Sequence, residues 1–280
     1  MNHKLLSLYG LKWNPFAPEV PVQAFHVGSR LESFCWRVEQ LVGEGGFALV
    51  TGLSGLGKSV ALRVLAQRLS GLRDVALGVL SRPQAGLHDF YRELGELFGV
   101  QLQPHNRWGG AKALRERWQA HIDASLCRPV LIIDEAQEMQ PGVLNELRLL
   151  CSARLDSHML LTVVLAGDQR LLERLRGEEL LALGSRMRVR LALERATPEE
   201  LRELIEHAIA AAGAPQLMST ELVTTLCDHA QGNLRALMNM AGELLAAAAQ
   251  REASQIDEQL FFETFATASA ARPKVAARRR

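Results

Sequence analysis

The chain has 280 residues, of which 48% are apolar, 22% charged and 5% aromatic, and its net charge is +1. This is the profile of an ordinary globular protein with one large domain, or one medium and one small, and its bulk charge singles out no partner. No apolar run approaches the ~20 residues that span a bilayer, and the N-terminus has no charged-then-apolar leader pattern, so no membrane partner and a cytoplasmic location are expected.

Four cysteines, Cys35, Cys127, Cys151 and Cys227, lie far apart, with no CxxC and no His pair at ligand spacing. They read as buried thiols in a reducing compartment, not as a metal site or disulfides.

In chain order, Gly and Pro punctuate Tyr9 to Phe16 and argue against a regular element there. Leu31, Phe34, Cys35, Val38, Leu41 and Val42 recur with a helical period that Gly45-Gly46 ends. Phe47 to Thr51 is a short apolar strand, and the glycine-rich run Gly52 to Ser59 follows at once. Val60, Leu62, Val64, Leu65 and Leu69 then fill one side of a helix that Gly71 stops.

The alternation continues. A strand is expected over Val75–Leu80 and helices over Leu87–Phe98 and Ala111–Leu126. Then come a strand over Val130–Asp134, a helix over Val143–Leu155, a strand over Leu160–Ala166 and a short helix over Leu171–Arg176. Met187 to Leu193 alternates basic with apolar residues and reads as the last strand. Strands apolar on both faces, alternating with helices, predict an α/β fold with a parallel sheet sandwiched by helices.

At Thr197-Pro198-Glu199-Glu200 the pattern changes: Thr as cap, Pro first and Glu third make a helix start. Helices are expected over Glu199–Ala212, Ser219–Ala230, Asn233–Arg251 and Asp257–Ala266, a small all-helical C-terminal domain. The expected division is an N-terminal extension, 1–45, packed on the core, an α/β domain, 46–195, a helical lid, 196–268, and a tail, 269–280. Arg272 to Arg280 carries five basic groups and no acid, which suits either a solvated terminus or phosphate contacts.

The strand–loop–helix at Gly52 to Ser59 spells G-x-x-x-x-G-K-S. In this pattern glycines let backbone N–H groups wrap the phosphates of a nucleoside triphosphate, and the helix N-terminus adds partial positive charge. Gly52, Ser54, Gly55, Leu56, Gly57 and Val60 would line the phosphates; Lys58 would reach the β- and γ-phosphates, and the Ser59 hydroxyl would ligate Mg2+. Asp134-Glu135 closes a buried strand about 75 residues later. Asp134 can hold Mg2+ through water, and Glu135 can polarise the attacking water as a general base, which predicts hydrolysis. Asp168 either senses the γ-phosphate or caps the helix after it. Arg186, Arg188 and Arg190, just before and within the last strand, are either surface arginines of an edge strand or candidates to stabilise the transition state in a neighbouring subunit, and Arg186 is the favoured one because it precedes the strand.

With these motifs in place, the chain resembles AAA+ ATPases of the ExeA/GspA and TniB/TnsC type. The resemblance runs from Asn14-Pro15-Phe16 through the P-loop and Asp134-Glu135-Ala136-Gln137 to Gly167-Asp168-Gln169-Arg170-Leu171, Arg186-Met187 and Gly232 to Asn239. Asp168 stands where this family usually has Gln, and Leu234 where it has Pro. The resemblance implies a P-loop NTPase fold of the AAA+ type, ATP and Mg2+ as cofactors, a homo-oligomer (ring or filament), and Arg235 leaning over the phosphates.

One branch of the family regulates DNA transposition, assembling with ATP on double-stranded DNA and recruiting or stimulating a transposase. The other serves type II secretion and carries a transmembrane helix and a peptidoglycan-binding part, neither of which is in this sequence. The first branch, or a stand-alone relative, is therefore expected, with Arg82, Arg107 and Lys112 either as DNA contacts or as ordinary surface charges. A secretion or envelope-assembly motor, and a nucleotide-dependent switch without nucleic acid, are the alternatives.

Overall fold

The computed structural model describes residues 2–101, 107–153 and 157–270, with backbone alone at 2–4, 107–108 and 266–270. Its centre is one parallel sheet of β1 (Gly46–Thr51), β2 (Val75–Leu80), β3 (Arg128–Ile133), β4 (Thr162–Gly167) and β5 (Met187–Ala192). The spatial order is β2-β3-β4-β1-β5. β1 and β4 are buried along their whole length, as unbroken apolar runs covered on both faces must be. Each Val, Leu or Ile fully buried in this way contributes about 1.5–3 kcal/mol. β5 alternates because it is an edge strand: Met187, Val189 and Leu191 face the core, while Arg188 and Arg190 are exposed.

Around the sheet lie α2 (Ser29–Glu44), α3 (Lys58–Ser70), α4 (Leu87–Phe98), α5 (Arg107–Ser125), α6 (Pro141–Cys151), α7 (Gln169–Arg176) and α8 (Leu181–Gly184). An opening helix, α1 (Asn2–Tyr9), and α8 were not expected; a four-residue turn is too short to show a helical period. α6 ends at Cys151, before the expected limit of Leu155, which lies outside the described residues. So does the basic run 272–280.

The chain divides into two compact units, one of residues 27–194 and one that joins the opening residues up to His26 to the helices from Arg195 onward. The second contains α9 (Pro198–Ala211), α10 (Thr220–Ala230), α11 (Leu234–Arg251) and α12 (Glu258–Ala270). α9 starts where its cap predicts: Thr197 Oγ1 accepts the Glu200 N–H at 3.2 Å, and the Glu200 carboxylate accepts the Thr197 N–H at 2.8 Å. Its apolar stripe Leu201, Ile205 and Ile209 is buried with Leu237, Ala241, Leu244 and Leu245 of α11.

Leu11 belongs to this same core, and the Lys12 N–H donates to Ala212 O at 2.9 Å. Residues 1–26 therefore gather with the C-terminal helices and not, as expected of all of 1–45, with the α/β part. The physical reason is that the apolar side chains of this punctuated segment, Leu11 and the partly buried Trp13 and Phe16, pack among helices of that core.

All four cysteines are free thiols; Cys35, Cys151 and Cys227 are buried and Cys127 half-buried. Burial pushes the Cys35 thiol up to about 11. Among the described residues no helix is long and apolar enough to cross a membrane.

α8 packs so closely on α7 that a Cβ at Gly184 would lie 2.2 Å from the Leu175 carbonyl oxygen. A backbone oxygen cannot swing aside as a side chain would. Gly184→Ala is expected to lower stability by about 1–3 kcal/mol, read as a shift of the urea midpoint; an unchanged midpoint would show that the α7–α8 turn yields freely.

Candidate nucleoside triphosphate site

β3, β4 and β1 are neighbours in register: Ile133 lies opposite Leu165, Leu165 opposite Leu49, and Gly167 opposite Thr51. The loops leaving their carboxyl ends therefore emerge on the same edge of the sheet, the one where open α/β sheets bind ligands. The first is Gly52 to Gly57, in which Gly55 and Gly57 take positive φ of 84° and 94°. Gly57 caps α3 in the left-handed region, leaving the first N–H groups of that helix pointed at the loop.

Lys58 is only 6% exposed, yet its ammonium is held by the loop itself, donating to Gly52 O at 3.0 Å and Leu53 O at 3.2 Å. Leu56 is buried, Val60 half-buried and Ser54 exposed.

The second loop begins at Asp134. Ser59 Oγ donates to Asp134 Oδ2 at 2.6 Å, which ties the P-loop helix to the end of β3. The other oxygen, Oδ1, accepts the Glu135 N–H at 2.8 Å. A hydroxyl and a carboxylate so placed are the hard oxygen donors that Mg2+ takes alongside phosphates, so these two residues fit that ion. Among the described residues there is no cluster of three or more His, Cys, Asp or Glu placed to hold a metal by itself. Glu135 is exposed and sits in the left-handed region at φ 51°, ψ 39°, a conformation that costs a non-glycine residue about 1 kcal/mol or more.

The third loop joins β4 to α7. Of the two readings of Asp168, the helix cap is in place: its carboxylate accepts the Arg170 N–H and the Arg170 Nε–H, both at 2.9 Å. Burial acts to raise the Asp168 carboxyl, but the bonds from Arg170 and the nearby Lys58 ammonium hold it below the usual carboxylate range.

Three residues that the sequence reading gave no role complete the surroundings. Gln137 donates from its side chain to the Glu135 carboxylate and accepts the Asp168 N–H at 3.2 Å. Arg174 donates to Gln137 O at 2.5 Å and Met139 O at 2.7 Å, and Arg170 reaches Glu138 at 2.9 Å. Their traces in the sequence were the positions of Gln137 within Asp134-Glu135-Ala136-Gln137 and of Arg170 within Gly167-Asp168-Gln169-Arg170-Leu171.

The structure thus brings Lys58, Ser59, Asp134, Glu135 and Asp168 to the same edge, and leaves Arg186 elsewhere. β5 runs parallel to β1, with Met187 beside Phe47 and Ala192 beside Thr51. Arg186, just ahead of β5, stands at the amino end of the sheet, one strand length or ~17–20 Å from the P-loop edge. It is half-buried and donates to Ala182 O at 2.6 Å. Arg188 pairs with Glu44 at 2.6 Å, and Arg190 donates to Gly184 O at 3.1 Å.

Arg235 belongs to the helical unit. It is exposed in the first turn of α11, behind the cap in which Asn233 accepts the Ala236 N–H at 3.1 Å. Arg82 is exposed in the turn after β2, and Lys112 is exposed on α5, pairing with Glu116 at 3.6 Å. Arg107 opens α5, and its side chain lies outside the described residues.

A glycine-rich loop between β1 and α3, an acidic pair ending β3, and this strand order with a helical C-terminal region define a P-loop NTPase of AAA+ fold. Residues 41–175, just under half of the chain, match the AAA domain family, and together with the P-loop fold this match supports ATPase activity. Over 199 residues it is 30% identical to general secretion pathway protein A of Aeromonas hydrophila, a stretch covering 70% of this chain and 36% of that relative.

The fold is similar to that of the ORC2 protein of Aeropyrum pernix (TM-score 0.70, 16% identity, 91% of this chain and 71% of that one). It is also similar to the Aeropyrum pernix ORC1 protein in complex with DNA (TM-score 0.67, 16% identity, 91% and 68%). At that identity the likeness shows the fold alone.

Removing the Lys58 ammonium should cost the site its charge on the phosphates. Lys58→Ala is expected to abolish ATP binding in titration calorimetry while the protein keeps its circular dichroism; retained binding would dismiss the P-loop assignment.

Proposed function

We propose that the chain is an ATP-dependent regulator of DNA transposition that assembles with copies of itself on double-stranded DNA and recruits or stimulates a transposase in the cytoplasm. The observation that carries the assembly is the placement of Arg186 at the opposite end of the sheet from Lys58. An arginine side chain cannot cover a strand length of ~17 Å, so Arg186 serves the site of a neighbouring subunit in a ring or filament.

Within each site the backbone of Gly52 to Gly57, with Ser54, Leu56 and Val60, cradles the phosphates of ATP. Lys58 binds the β- and γ-phosphates, and Ser59 with Asp134 would hold Mg2+, which neutralises phosphate charge when bound. Glu135 takes the proton of the attacking water, and Arg186 of the next subunit stabilises the charge that develops. Arg235 of the helical unit is the proposed sensor of nucleotide state, and Asp168, which caps α7, would sense the γ-phosphate only on release from Arg170.

Support for nucleic acid comes from the shared fold with the ORC1 protein in complex with DNA; support for transposition comes from the motif resemblance. Arg82, Arg107 and Lys112 are the proposed DNA contacts. The identity with general secretion pathway protein A favours a second reading, an ATPase of secretion or envelope assembly. The two separate on one measurement. The first expects duplex DNA to stimulate ATPase activity and to bind only with ATP, more weakly as salt rises. No stimulation and no ATP-dependent binding would leave the secretion reading.

Glu135→Gln should bind ATP, lose turnover by about 10²–10⁴-fold and accumulate as assemblies in light scattering. Arg186→Ala should bind ATP yet be equally inactive alone. Mixed together, the two variants should regain part of the wild-type rate, because each supplies what its neighbour lacks; a mixture as inactive as its components would rule out a shared site.

A further inference from the structure

We propose that Gln137 is a positioning residue for hydrolysis: its side-chain amide fastens the Glu135 carboxylate to the junction of β4 and α7. This rests on the reading of Glu135 as the general base. Gln137 is only 7% exposed, and a buried amide must find partners for its oxygen and nitrogen.

The partners also settle which way the amide faces. The Asp168 N–H is a donor, so the atom it meets is Oε1, at 3.2 Å. Nε2 is thereby turned to the Glu135 carboxylate, to which it donates. A flipped amide would set a donor against the Asp168 N–H and an oxygen against a carboxylate, both repulsive.

The rest of the neighbourhood is built to keep this bridge in place. Gln137 lies in the short turn Ala136–Glu138, whose backbone Arg174 clamps through Gln137 O and Met139 O. Arg170 ties the same turn to α7 through Glu138. Gly167, the last residue of β4, leaves the room that Gln137 uses: a Cβ there would lie 2.7 Å from Oε1. Glu135 enters this turn with a left-handed backbone, φ 51°.

An exposed glutamate otherwise samples many rotamers, and a base is effective only while it holds the water in an attacking geometry. A charge-assisted bond from a buried amide restricts one carboxylate oxygen and leaves the other for the water. The bridge also links the base to the backbone of Asp168, so a shift of the β4–α7 junction reaches Glu135 through a single side chain.

The test is a kinetic split. Gln137→Met keeps length and volume without polar atoms; Gln137→Glu keeps an acceptor for the Asp168 N–H but offers Glu135 a like charge. Both should lower kcat by about 10–100-fold while the ATP dissociation constant stays near wild type, with the thermal midpoint falling only by the few degrees that a lost buried contact costs. The double variant Glu135→Gln/Gln137→Met should be no slower than Glu135→Gln alone, because the second change acts through the first.

A normal kcat in Gln137→Met, a parallel fall of kcat, affinity and thermal midpoint, or a further loss in the double variant would each overturn the proposal. Full turnover by Glu135→Gln would instead dismiss the base reading itself, whereas an inactive Glu135→Gln beside a fully active Gln137→Met dismisses only the positioning role.

Discussion

Parallel pairing of β3, β4 and β1 is the constraint on which the site depends. β1 and β4 end abreast at Thr51 and Gly167 and β3 ends two residues earlier, at Ile133 beside Leu165, so three loops distant in sequence leave the same edge of the sheet. A one-residue slip in any pairing would turn that strand's side chains over and withdraw its loop by ~3.3 Å. The apolar runs therefore do more than bury surface. Val130 to Ile133 and Thr162 to Ala166 hold register by packing on both faces, and that register sets Ser59 Oγ 2.6 Å from Asp134.

Electrostatics at this edge is local. Lys58 is a buried ammonium whose burial is supportable because the carbonyls of Gly52 and Leu53 accept its hydrogen bonds. Those two oxygens are neutral, so an anionic phosphate would compete with them on favourable terms. The same economy appears at Asp168, whose two oxygens are both engaged by Arg170. With that carboxylate committed, the polar contact between the β4 end and the β3 loop falls to its backbone N–H and to Gln137.

Most of this was legible from residue patterns because the physics was local. Continuous apolar runs marked β1, β3 and β4, alternation at Met187 to Leu193 marked the last strand, and Thr197 with Glu200 marked the start of α9. What was not legible depends on partners distant in sequence. Nothing near Leu11 says that it packs with Leu201 and Leu237, so the opening residues were placed with the wrong core. Gln137 reads as one polar residue in a motif until Asp168, 31 positions on, shows where its amide points. Arg170 and Arg174 carry no role in the sequence, and only the fold reveals the turn they grip.

The separation of Arg186 from Lys58 has a thermodynamic consequence on the proposed reading. If one chain cannot complete its own site, contacts from Arg186 reach only nucleotide bound to another subunit. ATP then binds the assembled form more tightly than the separate one, and by linkage it must favour assembly by the same factor. Hydrolysis removes the γ-phosphate to which Arg186 is directed, and with it the part of the association energy that nucleotide supplied. The rate at which Glu135 works therefore sets how long an assembly lasts. In such a device the firmness with which Gln137 holds Glu135 would tune lifetime without touching affinity, since the phosphates are held by other residues. A partner that shifts the β4–α7 junction would then act on the clock and leave the site itself unchanged.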